Sequence, residues 1–190
     1  MPAVIRSFIA VDVPPFVREE IKNLIDTMRT KTDDFKWVRP ENLHFTLKFL
    51  GDVPEARIPE IKKTLERISL EAKSFRIHCA QIDAFPNATK PNVIWAGADE
   101  GDEELKSLSV KIESGLEALG FKKEDRAFSA HLTLGRLKAG KNSKRVPPPL
   151  NRIRYSSSES FLAEGLILYR SLLTPEGPVY EVLEKFDFHG

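Results

Sequence analysis

Two stretches of the chain share one alternation of apolar and polar positions. In Leu43-His44-Phe45-Thr46-Leu47-Lys48-Phe49, the apolar residues Leu43, Phe45, Leu47 and Phe49 alternate with His44, Thr46 and Lys48. This is the period of a strand with one apolar and one polar face, and it predicts that imidazole, hydroxyl and ammonium share the face turned from the core. A near copy, Ala130-His131-Leu132-Thr133-Leu134-Gly135-Arg136, follows 87 residues later and sets His131 and Thr133 on one face in the same way.

Around these strands the pattern predicts alternating elements. Ile5 to Asp12 reads as a strand closed by Pro14-Pro15, a helix-start signal. Val17, Ile21, Leu24, Ile25 and Met28 then keep the three-and-four spacing of an amphipathic helix. Asp33-Asp34 breaks that pattern, Phe35 to Val38 is a short apolar run, Arg39 to Asn42 turns into the first His strand, and Gly51 is expected to end it. A second helical stripe (Ile58, Ile61, Leu65, Ile68) leads to a strand through Phe75, Ile77 and Cys79 that ends near Phe85-Pro86. Asn87 to Asn92 reads as a loop and Val93 to Ala96 as a strand. Leu105 to Leu119 reads as a helix stopped by Gly120, with the second His strand expected from Phe128. Leu166 to Tyr169 and Val179 to Leu183 read as two strands joined by Pro175-Glu176-Gly177-Pro178 and are expected to complete the second sheet. Strand, helix and His strand thus occur twice in one order: Phe8 precedes His44 by 36 residues and Ile94 precedes His131 by 37. Matching order and spacing predict two lobes descended from one unit, with the His/Thr pairs facing each other across a cleft.

Composition narrows the chemistry. At 190 residues and 41% apolar content the chain can build one domain or two lobes sharing a core. A balance of 29 basic and 28 acidic residues argues against wholesale coating by nucleic acid. The single cysteine, Cys79, excludes an internal disulfide and a cysteine-based zinc site. With no apolar run of membrane-spanning length and no secretory signal layout, a soluble, cytoplasmic protein without membrane association is expected.

Two opposed imidazoles, with an unperturbed pKa of about 6.5, suit a proton acceptor and a proton donor near neutral pH. Threonine hydroxyls beside them can donate to the oxygens of a phosphodiester. Neither His motif carries an Asp, Glu or Cys as a third metal ligand, so no metal is expected. A nucleophile elbow, a Walker loop and a Gly-rich dinucleotide fingerprint are all missing, so no cofactor and no ATP are expected. His78 has no Thr or carboxylate two residues away and reads as solvent-facing. Between Arg136 and Arg154 lie seven basic residues (Arg136, Lys138, Lys141, Lys144, Arg145, Arg152, Arg154) and no acidic one. That segment reads either as a track for an RNA backbone or as a solvated loop. Arg136 is the best single candidate for a phosphate contact, although strict alternation turns it from the His face unless Gly135 introduces a bulge. Lys48 shares the His44 face in this reading. Trp37, Phe49 and Trp95 are candidates for base stacking but read first as core, and Tyr169 and Tyr180 as candidates for the groove border.

Asn42-Leu43-His44-Phe45-Thr46-Leu47-Lys48-Phe49-Leu50-Gly51 together with Ala130 to Arg136 resembles the paired His-x-Thr-x signatures of the two-histidine (2H) phosphoesterases. More narrowly the chain is similar to the bacterial and archaeal RNA 2′,3′-cyclic phosphodiesterases, also called 2′-5′ RNA ligases. The resemblance implies an α+β fold of two pseudo-symmetric lobes of antiparallel sheet with packed helices around a central groove, in one bilobal domain over residues 1–190. It implies hydrolysis of RNA 2′,3′-cyclic phosphate ends to 2′-phosphates, with His44 as proton donor, His131 as proton acceptor, and Thr46 and Thr133 holding the phosphate. The alternatives are ATP-independent 2′-5′ ligation by the same site, and a non-catalytic module that binds RNA ends. The expected partner is RNA with a 2′,3′-cyclic phosphate end. No protein partner is indicated, and a monomer is expected. The chain departs from the family pattern at Ala130, where relatives often carry proline before the second His.

Overall fold

A computed structural model describes residues 3–141, 150, 153–175 and 177–189. Nine strands are present among them: β1 Val4–Asp12, β2 Phe35–Trp37, β3 His44–Pro54, β4 Phe75–Phe85, β5 Val93–Glu100, β6 His131–Leu137, β7 Phe161–Ala163, β8 Gly165–Thr174 and β9 Gly177–Asp187. Three helices, α1 Pro15–Arg29, α2 Ile58–Leu70 and α3 Asp102–Glu117, complete the α+β architecture. The strand order β7-β4-β5-β6-β3-β1-β8-β9 is antiparallel at every pairing, with β2 added against β6. Read outward from its centre, this order makes two halves: β3-β1-β8-β9 around His44 and β6-β5-β4-β7 around His131.

The halves form because each His strand pairs with the strand one helix earlier in the chain, β3 with β1 and β6 with β5. The tail corrects one expectation. β8 and β9 do not extend the second lobe: β8 pairs with β1, so the C-terminal hairpin completes the His44 lobe, while the short β7 pairs with β4.

One face of the sheet is covered by the helices, whose apolar stripes are buried: Val17, Ile21, Ile25 and Met28 of α1, Ile61, Leu65 and Ile68 of α2, and Leu105, Leu108, Ile112 and Leu116 of α3. Each such side chain contributes about 1.5–3 kcal/mol through burial, so the helices fix which face is core. The other face carries a separate small cluster, Phe8, Ala10, Ile167 and Tyr169, with Tyr180 against it. None of the helices among the described residues is long and apolar enough to cross a membrane.

Two details of β3 depart from simple alternation. Gly51 does not end the strand: with φ at +70° it closes a bulge in which Leu50 is the extra residue between the Ser7–Gly51 and Phe8–Phe49 pairs, a conformation glycine adopts without steric cost. Pairing then continues to Pro54. The strand face also switches earlier. Ile9 pairs with Lys48 and Ala10 with Thr46, so Leu47 is an extra residue. Past it Lys48 turns to the core side, 3% exposed, and Phe49 turns outward, 57% exposed. The expected placement of Lys48 on the His44 face is therefore overturned, because one inserted residue moves every later side chain to the opposite face.

β6 repeats the device. Trp95 pairs with Thr133 and Ile94 with Gly135, leaving Leu134 as the extra residue. Gly135 then lies under Trp37, whose ring would stand 2.7 Å from a Cβ at that position. Arg136 emerges on the cleft side. The strand itself begins at His131 rather than at Phe128.

Candidate active site

The two His strands pair with each other at Phe45 and Leu132. Both of those side chains are fully buried in the core. Their neighbours one residue either way point to the opposite face, so the antiparallel register sets His44 across from Thr133 and Thr46 across from His131. Each imidazole thus faces the hydroxyl supplied by the other lobe. His44, Thr46, Thr133 and Arg136 line one cleft together with Lys36, Val38, Arg39, Asn42, Phe49 and Tyr180. His131 stands at the side of this cleft, near enough for its charge to act on His44.

Both rings are held in the same way. His44 Nδ1 lies 2.7 Å from the Asn42 carbonyl and His131 Nδ1 lies 2.8 Å from the Ser129 carbonyl, in each case the residue two before. A carbonyl only accepts, so Nδ1 carries the hydrogen and Nε2 is left for the cleft. Aromatic rings fix the remaining freedom. His44 stacks on Phe8 at 4.8 Å and meets the edge of Tyr180 at 5.3 Å. His131 meets Phe85 at 5.3 Å and Trp95 at 6.2 Å, both edge-on, and those two rings stack on each other.

The turn that supplies the Asn42 carbonyl is itself tied down. Arg18 of α1 donates to the carbonyls of Val13 (2.9 Å) and Glu41 (2.8 Å) and pairs with Asp12. The Asn42 side chain donates to the Pro178 carbonyl at 2.9 Å, joining the His44 strand to the β8–β9 hairpin.

Burial controls the protonation of both imidazoles. It pulls the His44 pKa down to about 4, against the Asn42 hydrogen bond, and the charges of Arg18, His131 and Arg136 lower it further. Burial likewise lowers His131 below its ordinary value, the Ser129 bond opposing and the Arg136 charge assisting. Lowered in this way, both rings are neutral near pH 7, and each presents a bare Nε2. Among the described residues no three His, Cys, Asp or Glu side chains gather in a cluster able to hold a metal ion.

Several contributors were not singled out in the sequence. Lys36 and Arg39 carried no motif, Phe8 acts on His44 from the neighbouring β1, and Phe85 reaches His131 from β4, on the far side of β5. Phe49 carries its ring on the cleft side instead of in the core, while Tyr180 borders the cleft. Of the basic segment, Lys144, Arg145 and Arg152 lie outside the described residues, and Lys141 is paired with Asp34 at 3.3 Å. His78 is partly exposed in a structural role, with partners that the sequence did not indicate. Its Nδ1 lies 2.6 Å from Asp99 Oδ1 on β5, and its Nε2 lies 3.0 Å from the Ser157 carbonyl. These partners come from a paired strand and a distant segment, which local spacing does not reveal.

The duplication of the fold also appears in comparison with known proteins. The family model for LigT like phosphoesterases matches twice, over residues 11–95 and 97–180, one copy for each His/Thr pair. The chain belongs to the LigT like phosphoesterase family. Among curated proteins similar to it, one of Archaeoglobus fulgidus named RNA 2′,3′-cyclic phosphodiesterase is 37% identical over 185 residues, covering 96% of this chain and 99% of the relative. One of the same name from Methanocaldococcus jannaschii is 36% identical over 181 residues, with 95% and 99% covered. The crystal structure of a Thermus thermophilus protein superposes with a TM-score of 0.83 at 34% identity, covering 98% of this chain and 99% of that one.

Proposed function

We propose that the protein hydrolyses RNA 2′,3′-cyclic phosphate ends to 2′-phosphates by proton transfer through His44 and His131, both lobes acting as one domain. The observation that carries this reading is the crossed register around Phe45 and Leu132, which opposes each imidazole to a threonine hydroxyl of the other strand. The curated relatives named RNA 2′,3′-cyclic phosphodiesterase supply the substrate class.

In this mechanism the cyclic phosphate sits between the strands, and Thr46 and Thr133 donate to its non-bridging oxygens. Arg136 neutralises its charge from the cleft wall. His131 Nε2 accepts a proton from water as the water oxygen attacks phosphorus. The bond from phosphorus to the 3′-oxygen breaks, and that oxygen takes the Nε2 proton of His44. His44 therefore has to gain a proton first. The phosphate anion favours this by opposing the burial that holds the empty ring neutral. Once charged, an imidazole of such low pKa is a strong donor. After turnover His131 returns its proton to water, and His44 is recharged from water. Phe49, exposed on the cleft wall, offers a face on which a terminal base can rest. Ligation to a 2′-5′ linkage is the same displacement with a 5′-hydroxyl attacking phosphorus in place of water: the bond from phosphorus to the 3′-oxygen again breaks, and that oxygen takes the proton of His44. No metal or ATP takes part in this reading.

The test is incubation with an oligonucleotide ending in a 2′,3′-cyclic phosphate, in EDTA and without ATP, followed by mapping of the phosphate position. A 2′-phosphate is expected. A 3′-phosphate would reverse the donor and acceptor assignment, and activity lost in EDTA but restored by a divalent ion would overturn the metal-free mechanism.

A further inference from the structure

Lys36 of β2 and Arg136 of β6 are register partners, so two cations stand directly opposite each other on neighbouring strands. Like charges in that position repel. Arg39 lines the same cleft three residues beyond Lys36. Among the described residues no carboxylate pairs with any of the three, although Lys141, close by in sequence, has found Asp34. A triplet of unneutralised cations around one cleft costs stability unless an anion enters it.

Position divides their roles. The charge of Arg136 acts on both imidazoles, which places it with the reacting phosphate. Lys36 reaches the other way, toward the β8–β9 hairpin, its Nζ 3.6 Å from where a Cβ on Gly177 would stand. The cleft is bounded there by Gly177 and Pro178. One phosphodiester carries one negative charge. Arg136 already answers it, and the two threonines satisfy its oxygens, so Lys36 and Arg39 exceed what the reacting group requires.

We propose that Lys36 and Arg39 form a subsite for a second phosphate of the same ligand, the 5′-phosphate of the nucleotide that carries the cyclic end. In RNA this group is the diester to the preceding nucleotide. The subsite rests on the reading of the cleft as a site for cyclic phosphate ends, and extends it: the protein favours a strand end over a lone cyclic nucleoside phosphate.

The experiment compares kcat/KM for three substrates: a 2′,3′-cyclic mononucleotide without a 5′-phosphate, the same compound 5′-phosphorylated, and a dinucleotide ending in a 2′,3′-cyclic phosphate. Wild type is compared with Lys36→Gln/Arg39→Gln and with Lys36→Arg. The ratio of the second and third substrates to the first should fall about tenfold in the double Gln variant, with a salt slope shallower by about one, and Lys36→Arg should keep it. Because the readout is a ratio within each variant, partial misfolding cancels. A ratio unchanged by Lys36→Gln/Arg39→Gln overturns the subsite. If the dinucleotide alone is favoured in wild type and loses that advantage in the variant, the diester is the group bound. Equal preference for the 5′-phosphorylated mononucleotide shows that any 5′-phosphate serves. Should wild type turn over none of the three, the reading of the site as a cyclic phosphodiesterase falls. The subsite is then decided by equilibrium binding of a dinucleotide 2′-phosphate against a nucleoside 2′-phosphate to the same variants, where an unchanged preference overturns it.

Discussion

Lys48 and Glu113 form a buried ion pair behind the His44 strand, with Lys48 Nζ 2.7 Å from each carboxylate oxygen and 2.9 Å from the Lys122 carbonyl. One turn earlier on α3, Ser109 donates to the Leu47 carbonyl at 3.0 Å. The helix of the second repeat therefore holds both residues of the bulge that turns Phe49 into the cleft. Replacing Lys48 alone by Met leaves the carboxylate buried without a partner, and should cost about 3–5 kcal/mol. Replacing both, with Lys48→Met and Glu113→Leu, should recover most of that loss, because a buried pair contributes little beyond an apolar pair of similar volume. Urea unfolding of wild type, Lys48→Met, Glu113→Leu and the double variant checks this; additive losses would mean that the two side chains do not interact.

His44→Ala and His131→Ala should each reduce turnover by about 10²- to 10⁴-fold, the range for removal of a general acid or base. Thr46→Val and Thr133→Val keep the strand-compatible shape and lose a hydrogen bond to an anion of about 1.5–3 kcal/mol, so they should slow the reaction roughly 10- to 150-fold. Single-turnover rates on proteins shown folded by circular dichroism measure both. A histidine variant that keeps most of the wild-type rate would remove that residue from the chemistry.

The pH dependence follows from the burial of the two rings. In the proposed mechanism the productive form has His44 protonated and His131 neutral, whereas His44 has the pKa of about 4 and His131 lies below its ordinary value. The profile of kcat/KM, which reports the free enzyme, should be a bell with its acid limb near pH 4. Its falling limb should lie below about 6.5, with about a tenfold loss per pH unit above it. The profile of kcat should be displaced upward, because the bound anion favours imidazolium. A kcat/KM bell with both limbs above about 6.5, the ordinary imidazole value, would contradict the electrostatics of the cleft.

His78 should act as a pH-dependent staple. Both its ring nitrogens face acceptors, Asp99 and the Ser157 carbonyl, and the Asp99 hydrogen bond raises its pKa, with burial opposing. A raised folded-state pKa means that the stabilisation is full below the unfolded value of about 6.5 and is lost as pH rises through the folded value. His78→Asn should therefore lower Tm by about 2–4 °C at about pH 6, the effect of about 1 kcal/mol in a chain of this size. The difference should shrink as pH is raised through the folded value. A loss that stays constant across an alkaline pH series would indicate packing rather than charge.

The amino-acid sequence by itself determined the two His/Thr pairs, their placement on polar strand faces and the repeat that opposes them. These depend on period-two alternation and chain order, which are local properties. The helices were legible for the same reason, since Val17, Ile21, Ile25 and Met28 mark the core face of α1 wherever it packs. The tertiary structure alone decided what depends on pairing between distant strands. Leu47 and Leu134 become extra residues only when measured against β1 and β5, and that count sends Lys48 inward and brings Phe49 and Arg136 to the cleft. The crossing of His44 with Thr133 follows from the single pairing of Phe45 and Leu132. The C-terminal hairpin joins the His44 lobe because β1 still has a free edge there, a fact about the assembled sheet that no stretch of the chain records.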